Sequence, residues 1–111
     1  MAQTNNPLTP VPLPAGAVFA DDWQPEDPQP YRVIMGADRG IDGRDLRVRT
    51  SAIQFADGRI DGGRIERPGV HVDDIGDHTL TAGQACELAA VLLAAADEVE
   101  RMAGCDRITV S

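Results

Sequence analysis

A chain of 111 residues is long enough for one domain and too short for two. Its ten cations, all of them arginine, face 18 carboxylates, and the resulting net charge of −8 opposes nonspecific binding to nucleic acid. No apolar stretch approaches the ~20 residues of a membrane span, because Glu87, Asp97 and Glu98 interrupt the longest candidate.

Residues 1–30 hold seven of the eight prolines, from Pro7 to Pro30. Proline fixes φ and removes a backbone donor, so this segment is expected to be extended or disordered rather than helix or sheet. Within it, VFADDWQPEDPQPY sets Val18, Phe19, Trp23 and Tyr31 among four acids. A disordered tail is usually poor in aromatics, so this stretch is expected to dock on its own domain or on a partner. Phe19, Trp23 and Tyr31 are the candidate partner-binding residues.

A single domain is expected over residues 31–111. YRVIMG, from Tyr31, reads as a strand closed by the glycine-rich GADRGIDGRD. LRVRTSAIQF is a longer strand in which Leu46 and Val48 alternate with Arg47 and Arg49. Ile53 and Phe55 continue on the opposite parity, which predicts a bulge or strong bend near Thr50–Ala52. Asp57-Gly58 between apolar residues predicts a hairpin with a type I′ turn. GRIERPGVHVDD offers one or two further strands, around Arg64–Glu66 and Val70–Val72, with Pro68 at an edge or between them. The echo of Gly58-Arg59-Ile60-Asp61 in Gly63-Arg64-Ile65-Glu66 is too short to imply a repeat architecture.

LTAGQACELAAVLLAAADEVERM, Leu80 to Met102, is a helix with Thr81 as N-cap and Gln84 completing a capping box. Ala85, Leu88, Ala89, Leu92, Ala96, Val99 and Ala103 fall on one face, and Val91, Leu93, Ala95 and Met102 widen it. Glu87, Asp97, Glu98 and Arg101 are expected opposite, and Gly104 to end the helix. CDRITV then reads as a last short strand. Cys86, at the border of the stripe, is expected to be a buried inert thiol. With a rise of ~1.5 Å per residue, the helix sets Cys86 and Cys105 too far apart for a disulfide. Free thiols and no visible export signal lead to an expectation of a cytoplasmic protein.

Two constellations carry candidate chemistry. Arg47 and Arg49 point one way from a strand, and Arg59 and Arg64 could join them in a phosphate-binding face, although Asp45, Asp57, Asp61 and Glu66 are interleaved. HVDDIGDH clusters His71, Asp73, Asp77 and His78, ligand types that suit zinc, iron or manganese but follow no recognised spacing. Neither Asp38 nor Asp57 opens a calcium loop, because arginine or proline takes the last ligand position. No phosphate-binding glycine loop or nucleophile elbow occurs, and nothing orients His71 or His78 toward Ser51, Cys86 or Cys105. No cofactor is called for.

IQFADGRID followed by LTAGQACELAAVLLAAADEVERM resembles small uncharacterised proteins of actinobacteria and their phages. These carry a short antiparallel sheet and a C-terminal helix of the form L-T-x-x-Q-A-x-x-L-A-x-x-L. The resemblance covers about Leu46 to Met102 and implies that sheet-and-helix fold, but no activity. The expectation is therefore an α+β domain of three or four antiparallel strands packed by one long C-terminal helix. A non-catalytic protein acting through protein–protein contacts is the first reading, with a second copy of the chain as an additional partner through the alanine-rich helix face. Nucleic-acid binding through the arginines and metal binding at His71–His78 are the alternatives.

Overall fold

The computed structural model describes residues 11–25, 29–74 and 79–104. Among them are five strands and one helix: β1 (Phe19–Ala20), β2 (Tyr31–Met35), β3 (Arg39–Gly40), β4 (Leu46–Phe55), β5 (Gly69–Asp74) and α1 (Ala82–Met102). All pairings are antiparallel, and α1 lies across one face of the sheet. The class is the α+β expected, with five strands rather than three or four.

The sheet is organised on β4. One side of this strand pairs with β2 along Ser51–Phe55 and with β3 at Arg47 and Val48; the other pairs with β5 along Leu46–Ser51. Leu46, Val48, Thr50, Ala52 and Gln54 share the helix-facing side and are all buried. Arg47 and Arg49 point to the outer face and are exposed, whereas Ile53 and Phe55, also on the outer face, are buried. No bulge is needed to explain the change of parity. The strand runs uninterrupted, and burial simply becomes two-sided toward its end.

The hairpin after β4 also differs in detail. The Gly58 N–H donates to the Phe55 carbonyl at 2.9 Å, so Ala56 and Asp57 are the central residues of the turn. Gly58, at φ +95°, occupies the left-handed position that follows, which a glycine adopts without steric cost. Past the Ile60 bridge the chain leaves the sheet and rejoins it only at Gly69. Arg64–Glu66 is therefore a loop. It is held by the Asp61 carboxylate, which accepts the backbone N–H groups of Gly63, Arg64, Ile65 and Glu66 at 2.6–3.2 Å. The glycine-arginine-isoleucine echo is thus paired in its first copy and looped out in its second.

Thr81 and Gln84 make the capping box reciprocally, each bond 3.0 Å, and Gly104 follows the helix at φ +79°. The buried stripe is rotated from the expected one. Leu88, Val91, Leu92, Ala95, Glu98 and Met102 face the sheet, while Ala85, Ala89 and Ala103 are exposed. An apolar arc wider than half the helix does not fix its own rotation. Glu98, expected in solvent, is buried, and Cys86, expected to be buried, is exposed.

The core has two apolar parts with a polar pin between them. Ile41, Leu46, Val48 and Ala95 form the first, with Leu80, Leu88, Val91 and Leu92 against it. Ile34, Ala52 and Met102 form the second, with Ala17, Ala20 and Ile60. Each fully buried side chain such as Ile34 or Val48 contributes about 1.5–3 kcal/mol. Glu98 lies one turn after Ala95 and one before Met102, and its Oε1 accepts the Thr50 hydroxyl at 2.6 Å. A Cβ on Gly36 would overlap the Glu98 carboxylate and the Thr50 hydroxyl, so only glycine fits beside this pin.

The proline-rich segment does not stand apart from the domain at residue 31. Phe19 and Ala20 pair with Met35 and Ile34, extending the sheet by an edge strand, and the Val11 and Pro12 carbonyls accept from Arg32 and Gln54. Proline's missing donor is no obstacle, because Pro12 contributes only its carbonyl and the N–H groups that bond to β2 belong to Val18, Asp21 and Gln24. Residues 1–10, and the strand expected after Gly104, lie outside the described residues.

Candidate interaction surface

Alternation along β2 separates the three aromatic residues near the N-terminus. Arg32 pairs with Gln54 on the helix side of the sheet, and its guanidinium sits 4.5 Å from the centre of the Trp23 ring. The same guanidinium donates to Gln54 Oε1 at 2.9 Å and to the Val11 carbonyl at 2.8 Å. Burial pushes the Arg32 pKa down from its ordinary value. Trp23 is left only 4 % exposed, which withdraws it from any partner. Tyr31 pairs with Phe55 and is half-buried. Phe19, opposite Met35 on the outer face, is 53 % exposed, and its neighbour Val18 is 65 % exposed. Only Phe19 of the three expected residues is open to contact.

The four candidate arginines do not form one patch. Arg47 and Arg49 occupy the end of β4 next to β5, where Arg49 is ion-paired with Asp73 and Arg47 lies 3.8 Å from Asp38. Arg59 stands over the Phe55 ring, six residues or about 20 Å of strand beyond Arg49. There it donates to Asp57 at 2.8 Å, and with Arg64 it lines an open cleft of about 240 Å³ that Gln29 and Phe55 also border. Three of the four arginines are thus already matched to carboxylates, which lowers the positive potential available to phosphate.

His71 and Asp73 share the outer face of β5, as the strand alternation predicts. Each is turned to β4: Ser51 Oγ is 2.7 Å from His71 Nε2, and Asp73 holds Arg49. No cluster of three metal-ligand side chains exists among the described residues; Asp77 and His78 lie outside them. Among the described residues no third group orients the imidazole of the Ser51–His71 pair, since Asp73 is engaged by Arg49, and the pair sits on an open sheet face.

Sequence reasoning missed the residues that shape this surface from behind. Asp61, accepting four backbone donors, has its pKa lowered to about 2; burial opposes the shift, and the N–H bonds from Glu66, Ile65, Arg64 and Gly63 outweigh it. Glu98 is likewise lowered despite burial, by the bonds from Arg39 and Thr50. For Glu98 the available signal was its spacing, three residues after Ala95 and four before Met102; Asp61, on no strand or helix, carried no such signal. A further open cleft, of about 500 Å³, lies between Val11–Pro14 and the hairpin residues Ala56–Arg59. Among the described residues no helix is long and apolar enough to cross a membrane. No protein-family model, no curated protein and no solved structure matches this chain.

Proposed function

We propose that this is a non-catalytic cytoplasmic protein that acts by binding another protein along the free edge of β1. The observation that carries this reading is the exposure of Phe19, and of Val18 just before it, on an edge strand that among the described residues pairs only with β2. An extended peptide can add there as a further strand, with backbone bonds giving affinity and Phe19 acting as the anchor. Asp21 and Asp22, both exposed, follow directly, so the fitting partner segment is apolar and flanked by lysine or arginine. The exposed free thiol of Cys86 accords with a reducing compartment.

The test is a pull-down from native lysate, with nuclease, comparing the wild-type chain with Phe19→Asp. A protein captured by the first and lost by the second, with unchanged circular dichroism, supports the proposal. Capture that vanishes with nuclease overturns it in favour of nucleic acid, and equal capture by both chains removes β1 as the surface.

A further inference from the structure

The opposite edge of the sheet carries a second surface, independent of β1. Its backbone can be read from the direction of the β4 hydrogen bonds. The Thr50 carbonyl accepts from Gly36 on the β2 side, whereas the Ile53 carbonyl and Phe55 N–H bond to the hairpin on the other side. By alternation, the backbones of Arg47, Arg49 and Ser51 are directed toward β5, where their register partners are Asp73, His71 and Gly69. The N–H and C=O groups of Val70 and Val72 therefore point away from the sheet, and no described strand lies beyond them. The side chains of these two valines, on the helix side, are 36 % and 48 % exposed.

We propose that this edge is closed by a second copy of the chain, β5 pairing antiparallel with β5 about a two-fold axis through Val72. Of the registers that keep the valines of both copies on one face, two are centred on the middle of β5. With the axis at His71, the two imidazoles oppose each other and Asp73 faces Gly69. With the axis at Val72, each His71 stands opposite the other copy's Asp73, at the close, non-hydrogen-bonded type of position. The chain is thus self-complementary in hydrogen bonding in the second register, where each imidazole faces a carboxylate, and not in the first, where imidazole faces imidazole.

The groups around each pair are already arranged for it. Nε2 of His71 is engaged with Ser51, which leaves Nδ1 to face across, and Asp73 meets Arg49 through Oδ2, which leaves Oδ1. Each side of the junction becomes a run of Ser51, His71, the second copy's Asp73 and its Arg49. Charges of −8 on each copy oppose association in general, and this register keeps the two Asp73 carboxylates from facing each other. Because α1 lies over β4 and β5, the two helices come side by side above the joined strands. The valines half-exposed in one copy are then covered.

Sedimentation velocity of the full chain over a range of concentrations tests this. The expected result is a dimer that Val72→Pro abolishes. That substitution removes an outward N–H and leaves every bond to β4 in place. His71→Asp, which sets like charges opposite twice, is expected to raise the dissociation constant about tenfold with the monomer fold intact. Phe19→Asp leaves the dimer unchanged. A chain that stays monomeric throughout, or a dimer that survives both β5 variants, overturns the proposal. Should Val72→Pro fail to fold, His71→Asp alone decides.

Discussion

Arg39 holds Glu98 by both ends: its two terminal nitrogens donate to Oε1 and Oε2 at 3.0 Å each, joining β3 to α1 about one turn before its end. The pair is planar and two-pronged, so it fixes the rotation of the helix as well as its distance from the sheet. Thr50 completes the site from beneath. An apolar stripe that could turn over a wide arc is thereby locked in one orientation.

Removing one partner strands the other. Glu98→Ala leaves the Arg39 guanidinium and the Thr50 hydroxyl without their acceptor and is expected to cost roughly 3 kcal/mol. Arg39→Met combined with Glu98→Leu deletes both charges and should recover most of that loss. Urea unfolding of the single and double variants measures both. A double variant no better than the single would show that the pin contributes net stability rather than orientation.

Gly36→Ala probes the same spot from the sheet. Its methyl group would have to displace the Glu98 carboxylate and the Thr50 hydroxyl. The expected loss is about 1–3 kcal/mol by overpacking. Made on a Glu98→Ala background it should cost much less, because the obstructing carboxylate is gone. Thermal midpoints of the four chains form the cycle that tests this coupling.

Asp61 should make stability sensitive to acid. Its carboxyl is lowered from 3.8 to about 2 in the folded chain, so the unfolded chain takes up the proton first and protons favour unfolding. The stabilisation is complete above about pH 4 and is lost as pH falls toward 2; Glu98, also lowered, acts in the same direction. Asp61→Asn replaces two of the four acceptor bonds by opposed N–H groups and is expected to cost about 2 kcal/mol near neutrality. It should also flatten the acid slope. Urea midpoints at pH 6, 4 and 3 for both chains would show it, and parallel slopes would remove Asp61 as the source.

The parts legible in the sequence are those that local rules govern. Thr81 and Gln84 cap α1 because the capping box needs only four consecutive residues. β4 was legible from the alternation of Leu46 and Val48 with Arg47 and Arg49. What escaped depends on pairing at a distance. The burial of Glu98 needs Arg39, 59 residues away, and the burial of Trp23 needs Arg32 and the Val11 carbonyl. A two-sided strand end at Ile53 and Phe55 resembles a bulge when only parity is visible. That Phe19 is exposed while Trp23 is buried was not legible, because it rests on the outward side of β1 for the one and on contact with Arg32 for the other.

Arg32 should be the clasp of the N-terminal segment, and the chain's single tryptophan reports on it directly. The guanidinium bonds to the Val11 carbonyl and to Gln54 while stacking on Trp23, so one side chain ties Val11, Trp23 and Gln54 together. Arg32→Met keeps the aliphatic stem and loses all three contacts. The expected cost is about 1–2 kcal/mol, from the stack and the two hydrogen bonds. Trp23 emission should shift to the red as its ring meets water, and limited proteolysis should cut sooner within Val11–Gln24. Arg32→Lys retains the charge but not the planar fork, and should restore only part of the blue emission. If emission and cleavage in Arg32→Met match the wild type, the segment is held by β1 pairing alone. The Val18 and Phe19 edge would then keep its place without the clasp.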